Sequence, residues 1–439
     1  MSTAPPGAEP GQSCCTLRAI HPAQEGKPAR LQEMLTPLHY PRFRRVWSGQ
    51  LVNILGDAVY SVAIPLFLLP RADAAATIGT VMAAAALGGV VALLVSGALA
   101  DRHRRSRIIV AADLIRAIGL IAIIALGVHA PVYALIACSA VMGVGSGLYR
   151  PAYMALLPTL VADEAMPGVN AVRTLTGRLS IIIGSLIAGA LTTWLAPRSV
   201  LLVDLASFAV SVVTLLGLGE QRPQARGRRT LLTDVAGGFR YIGRHRWMLA
   251  IMLQGTAQIA FVAGAVAVCL PLLVGRHGIW YGLTVVAEAL GAIVGTTILA
   301  PRKPALPGVV AMLALLCQVP QLIAIALHAP ASVIAILSAG AGFGLSVFAV
   351  LWIGGLQSQV APNQLGRVFA MDQLTATGLS PVGLAVAGWA IAAMGIEPTA
   401  WTALGVLVVS VLAVLPVRGV ATLSSGDTNV IMDASGLTR

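Results

Sequence analysis

The sequence predicts an all-α membrane protein with twelve transmembrane helices. Of its 439 residues, 57% are hydrophobic and only 10% are charged, against about 25% charged residues in a soluble domain. Apolar runs long enough to cross a bilayer, which takes about 20 residues each, recur along the whole chain. This composition excludes several soluble domains and a disordered chain. The unbroken runs also argue against an outer-membrane barrel, whose strands alternate apolar and polar residues.

Short polar or proline-containing connections separate the predicted helices into two groups of six. We predict helices at 46–69, 76–100, 106–128, 131–152, 168–195, 198–218, 247–274, 278–300, 306–327, 330–353, 366–394 and 397–417. The predicted domains are an N-terminal tail (1–45), a first bundle (46–218), a linker (219–246), a second bundle (247–417) and a C-terminal tail (418–439).

The net charge of +12 is distributed unevenly between the two sides of the predicted bundle. Arginines cluster in the N-terminal tail, at 102–107 and in the 219–246 linker, whereas the opposite connections hold only Arg71, Arg198 and Arg276. Basic loops remain in the cytoplasm, so we expect both termini to be cytoplasmic and the protein to lie in the cytoplasmic membrane. Because the basic clusters flank apolar runs, we expect the lipid bilayer, and not nucleic acid, as their partner.

A weak internal repeat relates the two halves at an offset near 200 residues. GSLIAG at 184–189 in the fifth predicted helix corresponds to GLAVAG at 383–388 in the eleventh. Duplication predicts two pseudo-symmetric six-helix bundles. Glycines allow helices to approach closely, so we assign helix packing to Gly184, Gly189, Gly383 and Gly388.

Residues 97–107, GALADRHRRSR, resemble the Gly-x-Leu-Ala-Asp-Arg-x-x-Arg-Arg loop signature of the major facilitator superfamily. The opening FRRVWSGQLVNILGDAVYSVAIPLFLL (43–69), the stretch PAYMALLPTLV and Gly366-Arg367-Val368 are similar to the bacterial macrolide-efflux and enterobactin-exporter branch of that family. The resemblance implies the major facilitator fold, with two six-helix bundles around a central cavity that opens alternately to either side.

The resemblance also implies a conformational latch between the halves at the signature loop. In the family, the loop carboxylate contacts the start of the eleventh helix and nearby arginines. The alternative is a static salt bridge in a loop that only directs membrane insertion. The residues that match the signature or were selected as its partners are Gly97, Asp101, Arg102, Arg105, Asp113, Arg116 and Asp372.

Two acids are candidates for proton coupling because of their predicted depth. Asp57 lies about eleven residues into the first helix, roughly 16 Å by helical rise, and Glu288 lies at a similar depth in the eighth. Ionisable groups inside a membrane are costly and usually face a cavity or a partner, and buried carboxyl groups exchange protons near neutral pH. For Asp57, a helix-packing hydrogen bond beside Gln50 and Asn53 is equally consistent with the sequence.

Polar and aromatic side chains in several helices are candidates for a substrate cavity. They are Gln50, Asn53, Phe261, Phe343, Phe348 and Trp352. Packing in the core or against lipid is the alternative for each aromatic residue, since such residues are common in membrane helices.

The sequence therefore predicts a secondary active transporter, an antiporter that exports a small hydrophobic compound in exchange for protons. A drug, an antibiotic or a natural product would fit, with antibiotic resistance as a consequence. The alternatives are a siderophore exporter, an importer of another small solute, or a membrane sensor or enzyme on a transporter fold. The sequence contains no phosphate-binding loop and no convergent nucleophile–base pair. We therefore expect no enzymatic activity, no cofactor and no metal.

Overall fold

A computed structural model shows twelve helices that are long and apolar enough to cross a membrane. It describes residues 36–220, 239–275, 278–299, 302 and 304–424, and this part of the chain contains no strand. The helices are α1 (Pro41–Leu68), α2 (Ala74–Arg102), α3 (Arg105–Leu126), α4 (Val132–Thr159), α5 (Asp163–Trp194), α6 (Pro197–Leu215), α7 (Arg246–Val274), α8 (Gly278–Leu299), α9 (Pro307–Ala326), α10 (Ala331–Gln359), α11 (Gln364–Met394) and α12 (Ile396–Val414). The predicted fold class is confirmed.

Several helices extend beyond their predicted ends. α1 begins at Pro41 instead of 46, α5 at Asp163 instead of 168, and α10 continues to Gln359 instead of 353. A helix satisfies its own backbone hydrogen bonds, so it continues past the apolar run into polar surroundings. Hydropathy marks only the part that crosses the bilayer.

The domain boundaries stay predictions. Residues 1–35 of the N-terminal tail, 221–238 of the linker and 425–439 of the C-terminal tail lie outside the described residues.

The two halves are built on the same helix contacts. In the first half, α1 packs against α5 and α6, α2 against α4, and α3 against α6. In the second half, α7 packs against α11 and α12, α8 against α10, and α9 against α12. The same pairs recur with six added to each helix number, so the pseudo-symmetry predicted from the sequence repeat is present in the fold.

Most contacts between the halves join α2 to α11 and α5 to α8, and smaller ones join α2 to α7 and α1 to α8. We call the end of the bundle at which α1 begins and α12 ends the termini face, and the opposite end the far face. A Cβ atom built on Gly388 of α11 would lie 2.8 Å from the carbonyl oxygen of Ala75 and 2.9 Å from the Cα of Gly79, both in α2. A Cβ atom on Gly189 of α5 would lie 3.2 Å from the Cα of Gly282 in α8. These close approaches lie in the far-face half of the bundle.

The other glycine of each repeated motif packs inside its own half. A Cβ atom on Gly184 would lie 2.6 Å from the Cβ of Ala58 in α1, and one on Gly383 would lie 2.6 Å from the carbonyl oxygen of Ile259 in α7. In each motif, the first glycine thus contacts the same half and the second contacts the other half.

Arg71 joins two connections at the far face. Its Nη1 donates hydrogen bonds to the carbonyl oxygens of Val128 (2.6 Å) and Ala130 (2.9 Å), in the connection between α3 and α4. Its Nε lies 2.7 Å from Oδ1 of Asp73, and this contact holds the pKa of the Asp73 carboxyl below its ordinary value. One of the few basic residues on this side therefore has a structural role.

Because Gly388 of α11 packs closely against α2, a methyl group added at this position should push the two halves apart at the far face. Overpacking costs about 1–3 kcal/mol, and ~1.4 kcal/mol shifts an equilibrium tenfold. We expect Gly388→Ala to lengthen the distance between spin labels at Ala72→Cys and Glu397→Cys, measured by pulsed electron paramagnetic resonance without the native cysteines. Gly405→Ala is the control, since a Cβ there meets no atom within 4 Å. An unchanged distance distribution in Gly388→Ala would refute the prediction.

Candidate functional site

A buried arginine is at the centre of the first half. Arg116 of α3 is 3% exposed, and its Nη2 forms an ion pair with Oδ1 of Asp57 in α1. Its Nη1 lies 3.4 Å from Oδ1 of Asp113 and donates a 3.3 Å hydrogen bond to Oδ1 of Asn53. A charge at this depth needs such partners, so the ion pair fixes α1 against α3.

Hydrogen bonds extend this site to α4 and α6. Ser211 of α6 donates to Oδ2 of Asp113 (2.6 Å) and accepts from Nε2 of Gln50 (3.0 Å). The Tyr149 hydroxyl of α4 donates to Oε1 of Gln50. We call this group the Arg116 cluster; its members are Gln50, Asn53, Asp57, Asp113, Arg116, Tyr149 and Ser211.

Asp204 of α6 is a further acid in the same interior. It is fully buried, it accepts a 3.3 Å hydrogen bond from the hydroxyl of Ser207, and its Oδ2 has no partner within the described residues. A Cβ atom on Gly56 would lie 2.7 Å from Oδ1 of Asp204, so glycine allows α1 to pass close to this carboxyl.

The Arg116 cluster differs from the prediction that selected Asp113 and Arg116 as partners of the signature loop. They lie about eight and eleven residues into α3, roughly 12 and 16 Å from its start, and their described partners are in α1 and α6. Asp372 is also placed differently, because it accepts a 2.9 Å hydrogen bond from Nε1 of Trp352. The sequence did not reveal which way these side chains point.

The signature loop is anchored by a residue that the sequence analysis missed. Glu220, just beyond α6, accepts hydrogen bonds from the backbone N–H groups of Arg105 (2.9 Å) and Ser106 (2.8 Å). Its carboxylate therefore satisfies the free N–H groups at the start of α3, where negative charge is also favoured by the helix dipole. The surroundings of Gly97 and of the Asp101 and Arg102 side chains lie outside what the structure describes.

A cavity of about 400 Å³ opens beside the Arg116 cluster. We call it the arginine cavity. It is bordered by side chains of α1, α3, α4 and α5, among them Asp57, Arg116, Tyr149, Arg150, Tyr153 and Arg173. The Asp57 side chain is 39% exposed, so this carboxylate reaches the cavity while its partner Arg116 stays buried.

Glu288 borders a second cavity of about 390 Å³, which lies between the halves. Ile181 of α5 faces it from the first half, and Ser346 of α10 from the second. The Glu288 carboxylate forms no ion pair or hydrogen bond with any described residue. Asp57 and Glu288 thus both border cavities, but only Asp57 is ion-paired.

The predicted substrate-cavity residues are not brought together. Gln50 and Asn53 are fully buried and hydrogen-bonded in the Arg116 cluster, so they do not border the arginine cavity. Phe261 is 48% exposed on a π-helical turn of α7. Hydrophobicity alone could not distinguish these environments.

The other aromatic candidates lie in the second half. Phe343 borders a separate cavity with Arg302 and Cys317. Phe348 stacks on Trp352, which meets Trp247 edge to face at 6.0 Å between ring centroids. Phe348 and Trp352 therefore pack in an aromatic wall, and Phe343 lies at another cavity.

Four further charged or aromatic residues of the arginine cavity were absent from the predicted site residues. They are Tyr149, Arg150, Tyr153 and Arg173. The two tyrosines are one helical turn apart and flank Arg150 in sequence, a spacing that puts them on one face of α4. That spacing was the available signal, and it becomes informative only when the helix rotation is known.

A sequence model of the Major Facilitator Superfamily matches residues 46–317, more than half of the chain. Macrolide efflux protein A of Streptococcus pyogenes is 23% identical over 394 residues, covering 85% of this chain and 95% of the relative. Enterobactin exporter EntS of Escherichia coli O81 (strain ED1a) is 25% identical over 391 residues, covering 86% of this chain and 92% of the relative. The resemblance predicted from the loop signature and the 43–69 segment is therefore confirmed.

Solved transporter structures share the fold. The nucleoside transporter NupG superposes with a TM-score of 0.67 at 14% identity, over 85% of this chain and 98% of that one. A POT family transporter in complex with 5-aminolevulinic acid superposes with a TM-score of 0.64 at 13% identity, over 85% of this chain and 95% of that one. The matched family is one of transporters and not of enzymes. With twelve spans, two repeated bundles and the loop signature, the chain belongs to the major facilitator superfamily.

Proposed function

We propose that the chain exports a small, largely hydrophobic compound and couples this export to proton uptake. The observation that carries the proposal is that two acids inside the bundle border cavities: Asp57 of α1, which pairs with Arg116, and Glu288 of α8, which is unpaired in the described structure. A carboxylate at membrane depth beside a cavity can take up and release a proton as its access changes. The relatives named for macrolide efflux and enterobactin export support export as the direction.

The proposed orientation places both termini in the cytoplasm and the protein in the cytoplasmic membrane. The uneven distribution of arginine supports it, since basic connections remain on the cytoplasmic side. The termini face would then be cytoplasmic. Because the close glycine contacts between the halves lie toward the far face, we assign this conformation to the state that is closed to the outside.

A siderophore is the second candidate cargo. The relative named as an enterobactin exporter favours it. Comparing the accumulation of a compound panel in cells with and without the gene identifies the cargo. The panel includes a macrolide, a catecholate siderophore and aromatic acids.

The signature loop would act as the latch between the halves. The α3 side of the loop is held by Glu220, so Gly97, Asp101, Arg102 and Arg105 would move with the first half. A carboxylate at a helix N-terminus is favourable by about 0.3–1 kcal/mol, an amount small enough to break and reform. Asp101 would make this contact with the start of α11.

The latch predicts that Asp101→Ala lowers transport at least tenfold and leaves membrane insertion intact. Removing the carboxylate destabilises one of the two alternating states. The measurement is efflux of the identified cargo from cells, with insertion checked by quantifying the protein in purified membranes. Asp163→Ala is the control, because Asp163 is an exposed acid at the start of α5, at the termini face. Wild-type efflux by inserted Asp101→Ala protein would reject the latch.

The coupling proposal predicts that neutralising the proton carrier removes dependence on the pH gradient. Asp57→Asn and Glu288→Gln are each tested for efflux of the cargo from proteoliposomes under an imposed gradient. We expect the larger loss in Glu288→Gln, because its carboxylate has no partner in the described structure and lies among mostly apolar side chains. Cargo binding should persist in both variants.

Glu397→Gln is the matched control, since Glu397 is an exposed acid at the start of α12. Full gradient dependence in both Asp57→Asn and Glu288→Gln would exclude proton carriage by either residue.

A further inference from the structure

Three arginines border the arginine cavity, and only one of them is paired with carboxylates in the described part of the chain. Arg116 is paired with Asp57 and Asp113. Arg150 and Arg173 border the same cavity, but neither forms a hydrogen bond or an ion pair with a described residue. The Nε atom of Arg173 is also buried without a partner in that part of the chain. Two guanidinium groups therefore have hydrogen-bond donors available to a molecule in the cavity.

Both arginines are accessible from the arginine cavity. Arg150 is exposed and Arg173 is half-buried, and both side chains border the cavity. Charged side chains within a membrane protein usually face a cavity or a partner.

Two stacked tyrosines of α4 lie beside the two arginines. The Tyr149 and Tyr153 rings are stacked, with 5.7 Å between centroids and 10° between planes. The Tyr149 hydroxyl is used within the Arg116 cluster, whereas the Tyr153 hydroxyl makes no hydrogen bond to a described residue. Stacked rings favour flat aromatic partners, and about 400 Å³ is within the size range of small-molecule sites.

We propose that the arginine cavity binds an aromatic organic anion. Its carboxylate, phenolate or sulfonate would lie between Arg150 and Arg173, since guanidinium groups bind planar anions through paired hydrogen bonds. Its ring would pack against Tyr149 and Tyr153. The inference rests on the proposed function, and it narrows the cargo from a hydrophobic compound to an amphiphilic anion. A cationic compound of the same shape is disfavoured by the same charges.

The test compares three ligands of one shape and different charge. Naphthalene-2-carboxylate, naphthalene-2-carboxamide and naphthalen-2-ylmethylammonium are titrated into the purified full chain in phosphatidylcholine nanodiscs, and Kd is measured calorimetrically without a pH gradient. We expect the carboxylate to bind at least tenfold more tightly than the amide, and the ammonium most weakly. Arg150→Gln and Arg173→Gln should each remove this preference, while Arg150→Lys and Arg173→Lys should retain part of it.

Arg178→Gln is the matched control, because it removes a charge from α5 that does not border the cavity. Absence of carboxylate binding, equal affinity for the three ligands, or an equal loss in Arg178→Gln would overturn the proposal. Loss of carboxylate binding when phosphatidylglycerol replaces phosphatidylcholine would assign the arginines to lipid headgroups and also overturn it. Because this assay involves neither transport nor a gradient, its result is independent of export direction and proton coupling.

Discussion

The burial of Arg116 is the constraint on which the first half depends. A guanidinium group inside a membrane-spanning bundle must have charged and polar partners, and here they come from different helices. Asp57 and Asn53 bring α1 to α3, while Asp113 links α3 to Ser211 of α6. Small residues make this possible, since a Cβ atom on Gly145 of α4 would overlap the Arg116 side chain. Because Arg116 and Asp113 are both buried and a buried charge that loses its partner is destabilising, the cluster opposes separation of these helices.

The contacts between the halves are of another kind. Between helices in lipid there is no hydrophobic driving force, so close packing of small residues takes its place. Gly79 with Gly388, and Gly189 with Gly282, bring the backbones of the halves into close contact. Polar bonds therefore hold the first half together internally, whereas close packing of small residues joins it to the second. This difference allows two bodies to move against each other while each keeps its shape.

The sequence was sufficient for the fold and insufficient for the site. Twelve apolar runs, the arginine distribution and the repeated glycine motifs predicted the spans and both bundles, because each depends on local composition. The ion pair between Asp57 and Arg116 joins residues 59 positions apart, and it depends on how each helix is rotated. Glu220 was missed because it lies in a polar stretch with no motif, and Arg173 because its direction is set by packing. Hydrophobicity likewise could not separate the exposed Phe261 from the buried Trp352.

The most direct test of this account is hydrogen–deuterium exchange of the protein in nanodiscs, comparing wild type with Arg116→Gln. If the Arg116 cluster holds the first half together, backbone amides in α1, α3 and α6 should exchange faster in the variant, while those in α7 to α12 keep their rates. Arg178→Gln, which leaves the cluster intact, should exchange as the wild type does. Unchanged exchange in α1, α3 and α6, or an equal increase in both halves, would contradict the central role of Arg116.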